Sequence, residues 1–135
     1  MRLFGDSSGW LPFVDRREPE HEAIGKVLSA LTNRSDVIYV TDYIFDETLT
    51  LISAKVNHAL AVTCGEWLLS SPVIRLVRIE PELWDDAWAL FRRYDDKDFS
   101  FTDCTSFVVM QRYHLVDAFT FDHHFEQMGF RLWPR

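Results

Sequence analysis

Four acidic residues spread along the chain, Asp6, Glu47, Asp103 and Asp122, are the candidates for chemistry. Carboxylates gathered in one pocket repel one another unless they are protonated or neutralised. An all-oxygen donor set of this kind suits a hard divalent cation, Mg²⁺ or Mn²⁺. Such ions acidify water and clamp phosphate oxygens. Glu47 is the most telling of the four. It lies three residues after Ile44 and four before Leu51, inside the apolar stripe of a helix. The positions one turn away are Tyr43, Ile44, Thr50 and Leu51, so its own helix offers no cation. An unpaired carboxylate on a core-facing stripe is costly, so its partner is a tertiary contact or a metal. The other three have plainer readings as well. Asp6 could be a turn or cap residue, Asp103 fits a capping box with Ser100, and Asp122 could cap the short helix after it.

The elements that would position these acids alternate in type. Strands are expected over 2–5, 37–40, 73–79, 118–121 and 130–133. Helices are expected over 20–34, 43–55, from Asn57 to about 70, from Pro81 to about 94, from Ser100 to about 114, and briefly before Gly129. The unbroken β-branched run Val37-Ile38-Tyr39-Val40 suits a strand covered on both faces. Strands alternating with helices of ten or more residues indicate an α/β fold with a mostly parallel sheet, as one domain over 1–135. In such sheets, sites form beyond the carboxyl ends of the strands. Asp6 and Asp122 directly follow expected strands there. Glu47 and Asp103 sit in the first turns of helices that begin at that edge.

Composition narrows the classes. At 135 residues and 47% hydrophobic, the chain buries a core without disulfide or metal staples. Its two cysteines, Cys64 and Cys104, are far apart and lack zinc-ligand spacing, so they read as buried free thiols. The first residues lack the apolar stretch of a signal peptide, and no apolar run reaches the ~18 residues of a membrane helix, so a soluble cytoplasmic protein with no membrane contact is expected. The net charge of −7 runs against the basic footprint usual in nucleic-acid binders. A phosphate-cradling GxxxxGK[ST] loop is absent. The adjacent pair His123-His124 reads as surface or capping rather than as a metal site, because neighbours on a helix point apart.

Four segments in order resemble the PIN-domain ribonucleases, and within them the VapC-type toxins of toxin–antitoxin pairs. They are Asp6-Ser7-Ser8, then 41–49 around Glu47, then 99–107 around Asp103, and Thr120-Phe121-Asp122-His123-His124-Phe125 with Gly129-Phe130. Asp15 and His21-Glu22-Ala23 fit the segment after the first acid. The resemblance covers residues 5–133. It implies a three-layer α/β/α sandwich with a five-stranded sheet of order 3-2-1-4-5, which sets the first and fourth strands side by side. It also implies that Asp6, Glu47, Asp103 and Asp122 together bind Mg²⁺ or Mn²⁺ for endoribonucleolytic hydrolysis of RNA. Ser7, Ser106 and Thr120 are expected as supporting hydroxyls around the acids. Asp98 reads as a solvated loop charge rather than an outer acid. The resemblance further implies a small antitoxin partner and a homodimer. The alternative is a catalytically inactive PIN-like module that binds RNA or protein.

An acidic chain that handles RNA needs local cations. Arginine outnumbers lysine 11 to 3, and guanidinium forks match phosphate geometry. Arg16, Arg17, Arg92, Arg93 and Lys97 are the candidate RNA contacts, each with a plain reading as a solvated surface charge. Two bound divalent ions would offset four of the seven net negative charges, so RNA affinity is expected to depend on the metal.

Overall fold

The computed structural model describes residues 1–135. It starts with strand β1 (Arg2–Gly5), in which Leu3 and Phe4 are fully buried although they point to opposite faces. A strand with both faces buried is the centre of a layered fold.

Helix α1 (Ser7–Val14) follows at once. Local pattern does not predict it, because Gly9 and Pro12 read as breakers. Packing overrides that signal. Trp10 is fully buried, with ring centroids 4.9 Å from Phe119 and 5.9 Å from Trp67. Gly9 lies so close to the sheet that a Cβ would come within 2.6 Å of the Phe119 ring. Here glycine is the condition for the helix to seat rather than its end.

Helix α2 (His21–Ser29) stops five residues short of the expected end, where the backbone turns and Asn33 donates to the Asp36 carboxylate at 2.9 Å. Strand β2 (Val37–Thr41) leads into helix α3 (Asp42–Lys55), whose start is capped by the Thr41 hydroxyl accepting from Ile44 N at 3.0 Å. Helix α4 (His58–Ser70) is capped by Asn57 in the same way, as expected from sequence. Strand β3 (Ile74–Val77) and helix α5 (Pro81–Arg93) come next. Helix α6 (Phe101–Arg112) is buried continuously from Asp103 to Met110, which identifies it as the central helix of its layer. Strand β4 (Asp117–Phe119), helix α7 (His124–Gln127) and strand β5 (Arg131–Trp133) complete the chain. Gly129, at φ +87°, ends α7 in the left-handed region that favours glycine.

All four strand pairings are parallel, and the order is β3-β2-β1-β4-β5. This is the expected order, with β1 beside β4. Register sorts the two faces. Leu3, Gly5, Ile38 and Phe119 share the face on which α1 lies, and α1 packs with α3 and α4. Phe4 and Tyr39 share the other face, where α6 and α5 pack together. The second layer is held by aromatic contacts: Phe107 is 5.1 Å from Phe125 and 5.0 Å from Phe99. Both cysteines are buried and free, and burial pushes each thiol up to about 11.

β4 is shorter than expected. It ends at Phe119, so Thr120 and Phe121 lie beyond the strand instead of within it. That displacement matters for the site.

Candidate active site

Asp6 follows the last residue of β1, and its amide donates to the Phe119 carbonyl at 3.0 Å. The pairing with β4 therefore continues one step past the strand and locks the Asp6 backbone. Asp6 is 3% exposed. Asp6 Oδ2 accepts from the Ser8 hydroxyl at 3.0 Å and from the Thr120 hydroxyl at 2.8 Å. Ser8 Oγ in turn accepts from Phe121 N at 2.9 Å, and Thr120 Oγ1 accepts from Asp122 N at 3.0 Å. Leaving the strand thus frees Thr120 to bind both Asp6 and the backbone of Asp122. Burial raises the Asp6 carboxyl to about 6, against the two hydroxyl bonds, with the Glu47 and Asp103 carboxylates adding to the rise.

Glu47 is half-buried in α3, and its Oε1 accepts from the Ser7 hydroxyl. The partner that sequence left open is a hydroxyl at the start of α1. It tethers the carboxylate without cancelling its charge.

Asp103 closes the predicted capping box. Its Oδ2 accepts from Ser100 N at 3.0 Å, while its own amide donates to Ser100 Oγ at 2.9 Å. The cap and the candidate site are the same group, because the helix N-terminus holds the carboxylate at the sheet edge. The same Oδ2 lies 3.0 Å from His124 Nδ1. Burial pushes the Asp103 carboxyl upward and Asp122 adds to this, while the Ser100 amide and His124 oppose it. Asp122 Oδ1 accepts from His124 N at 2.9 Å and lies 3.4 Å from the same ring nitrogen. Ligand atoms of Asp103, Asp122 and His124 all fall within 4.8 Å of one another.

Reading both histidines as surface residues needs correction for one of them. The two side chains do point apart. His123 is 84% exposed and meets only Glu126, but His124 turns inward, edge-on to Phe99 at 5.4 Å. His124 thus brings a ring nitrogen between the Asp103 and Asp122 carboxylates.

The supporting hydroxyls divide. Ser7 reaches Glu47 and Thr120 reaches Asp6, but Ser106 Oγ donates to the Thr102 carbonyl at 3.2 Å within its own helix. Ser8, which the sequence reading passed over, joins Asp6 to the segment after β4. Its position two residues after an acid that leaves a strand was the available signal. Asp98 is exposed in the loop before α6. Arg17 is committed to Asp15 through two nitrogens at 3.1 Å, and Lys97 lies 3.8 Å from Asp96. Arg16, Arg92 and Arg93 are exposed.

None of the four acids has a lysine or arginine within ion-pair distance. The arginine–carboxylate pairs of the molecule involve Asp15, Glu82, Asp86 and Asp117 instead. Asp103, Asp122 and His124 form a group whose ligand atoms fit a divalent cation, and the Glu47 and Asp103 charges act on the neighbouring Asp6.

The PIN domain family model matches residues 3–131. The chain belongs to the PIN domain family. This PIN domain is 29% identical over 128 residues to the 23S rRNA-specific endonuclease VapC20 of Mycobacterium tuberculosis, covering 95% of each chain. It is 28% identical over 117 residues to a VapC ribonuclease of Archaeoglobus fulgidus, covering 85% of this chain and 74% of that one. The crystal structure of the M. tuberculosis VapC20, described as a sarcin–ricin loop cleaving toxin, superposes with a TM-score of 0.86 at 27% identity over 95% of both chains. VapBC2 from Rickettsia felis, solved bound to a DNA fragment from their promoter, shares the fold at 10% identity, with a TM-score of 0.74 over 98% and 97% of the two chains. No helix of this PIN domain is long and apolar enough to cross a membrane.

Proposed function

We propose that this PIN domain is a cytoplasmic Mg²⁺- or Mn²⁺-dependent endoribonuclease of the VapC type, the toxin of a toxin–antitoxin pair. Its substrate class is ribosomal RNA, as named for VapC20. The observation that carries the reading is a set of four carboxylates at one sheet edge without a lysine or arginine to balance them.

Asp6, Glu47, Asp103 and Asp122 are the residues that would hold the cation. When bound, it supplies Lewis acidity to the scissile phosphate and lowers the pKa of the attacking water. The chain's own residues do the positioning. Ser8 and Thr120 hold the Asp6 carboxylate from two sides, and Ser7 fixes Glu47. The α6 capping box aims Asp103, and the turn through Thr120 and Asp122 carries the fourth acid in beside it. His124 Nδ1 sits between the Asp103 and Asp122 carboxylates, at 3.0 and 3.4 Å, and fixes their spacing.

The test is cleavage of a synthetic sarcin–ricin-loop hairpin by the purified protein, with and without Mg²⁺. Cutting that requires the ion and is lost in Asp103→Asn is the expected result; metal-independent cutting, or full activity in that variant, overturns it. An antitoxin and a homodimer belong to the same proposal. Light scattering that returns a monomer at high micromolar concentration counts against the dimer.

A further inference from the structure

The acids occupy the carboxyl end of the strands, and two arginines, Arg2 and Arg75, gather nearer the other end. Phe4, Tyr39 and Arg75 are register partners on β1, β2 and β3. Arg2 lies two residues before Phe4, so Arg2, Tyr39 and Arg75 share one face of the sheet. Their side chains converge there. The Arg2 and Arg75 guanidinium carbons lie 5.6 and 5.4 Å from the centre of the Tyr39 ring. Each also donates to the Tyr39 hydroxyl, at 3.2 and 3.4 Å. The ring is rigidly placed: Tyr39 is 4% exposed and sits 4.9 Å from the Tyr113 ring. Arg78, just past the carboxyl end of β3, joins Arg75, Arg112 and Tyr113 around a cleft of about 520 Å³ that runs toward the carboxyl end of the sheet.

Charge in this cleft is unbalanced. Arg112 is paired with Glu82 at 3.1 Å and Asp86 at 3.6 Å. Glu80 also borders the cleft. Arg2, Arg75 and Arg78 take part in no ion pair, although the molecule's other arginine pairs show that acids are available. Two guanidiniums drawn to one hydroxyl repel each other, and an anion accepting from their outer edges removes that cost. Stacking on a tyrosine face holds the forks in place while leaving those edges free.

The geometry points to a phosphate-binding cleft, built by Arg75 and Arg78 with Arg2 across the Tyr39 ring, that takes an RNA backbone phosphate away from the scissile bond. This rests on the ribonuclease reading above. Arg2 and Asp6 stand four residues apart along β1, about 13 Å at ~3.3 Å per residue. One RNA stem can therefore reach the cleft and the acids together. The site would set register and affinity, not chemistry.

The experiment uses the full chain and the sarcin–ricin-loop hairpin. Arg75→Gln with Arg78→Gln alters two exposed side chains, whereas Arg2 also donates to the Tyr113 carbonyl at 3.0 Å and is left intact. Lys26→Gln with Lys55→Gln makes the same charge change at exposed positions on α2 and α3. The arginine pair is expected to raise KM about tenfold, with kcat within about twofold, and to flatten the salt dependence of log KM by about 1 to 2. The lysine pair is expected to change neither. Inorganic phosphate titrated into the metal-free protein should shift the Arg75 and Arg78 side-chain NMR signals.

Unchanged KM and salt slope in the arginine pair, with normal cutting by the parent, overturns the proposal, as does an equal effect from the lysine pair. A phosphate response with unchanged RNA kinetics assigns the cleft to a different anion and also overturns it. Should the parent fail to cut the hairpin, the ribonuclease reading fails at its substrate. The phosphate titration still decides whether the cleft binds anions: shifts support it, and none overturns it.

Discussion

The two ends of the sheet solve opposite electrostatic problems. At the carboxyl end, four acids lie together with hydroxyls and one imidazole but no strong cation. Toward the amino end, two arginines, Arg2 and Arg75, gather around one tyrosine with no carboxylate paired to them. Each end is tethered by neutral groups that fix geometry and leave net charge in place. A neutral tether is what a site needs if its counter-charge is to arrive from outside, as a cation at one end and a phosphate at the other. Some charges elsewhere are paired internally, as in Arg17 with Asp15 and Arg131 with Asp117.

The largest effect is expected from Asp103→Asn. The amide oxygen still accepts from Ser100 N, so the cap survives while a ligand charge is lost. RNA cleavage should fall about 10³-fold, equivalent to about 4 kcal/mol of transition-state stabilisation. Thermal unfolding should shift little. A large drop in Tm would mean that Asp103 acts mainly as a cap.

The second prediction concerns pH, and it separates the two ends. The Asp6 carboxyl is raised to about 6 from 3.8, so the folded state holds its proton more tightly than the unfolded chain. Stability from this group is therefore fully present below about pH 4 and is lost as pH rises through about 6. The loss amounts to about 3 kcal/mol. Metal-free protein should unfold more easily at pH 7.5 than its other titrating groups would give, and Mg²⁺ should restore it. The Arg75→Gln, Arg78→Gln variant should show the same profile, because no acid there is involved. Denaturant unfolding across pH 4 to 8, with and without the ion, measures this. A profile unaffected by Mg²⁺ would break the comparison.

Chelation should act on binding as well. The Asp103→Asn variant cannot be used for this measurement, but short incubations of the parent protein in EDTA can. Metal-free protein should bind the hairpin about tenfold more weakly, because the acidic edge then repels phosphate. Equal affinity with and without EDTA would place all the binding energy at the basic end.

The smallest effect is expected from Ser8→Ala. It removes one of two hydroxyls on Asp6 and the acceptor for Phe121 N. Activity should fall about two- to tenfold with a stability loss of about 1 kcal/mol. The acid limb of the pH–rate profile should move upward, because a carboxylate with one fewer donor holds its proton more tightly. An unchanged limb would show that Thr120 alone holds the carboxylate.

Much of the fold was legible in the sequence because its signals are local. Thr41, Asn57, Ser100 and Gly129 mark helix ends by their own side-chain or backbone chemistry, and they do so in the structure. The run Val37–Val40 announced a strand buried on both faces. Helix α1 was not legible, since Gly9 and Pro12 argue against it locally and only the Phe119 ring across the sheet explains the glycine. The end of β4 was misplaced for a similar reason. Thr120 is a good strand residue, but its hydroxyl is used by Asp6 and Asp122.

The site divides along the same line. Residue type and spacing alone determined that Glu47 is an acid on an apolar stripe, that Asp103 sits in a helix's first turn, and that Asp6 follows a strand. Those properties depend on neighbours within one turn. Only the tertiary structure decided that a hydroxyl from α1 answers Glu47, that His124 and not His123 enters the acidic group, and that Arg2, Arg75 and Arg78 gather while Arg17 is spent on Asp15. Each of those outcomes depends on strand register and helix seating between segments tens of residues apart. A single substitution of register would send every side chain of a strand to the other face, and nothing in the local pattern records which face that is.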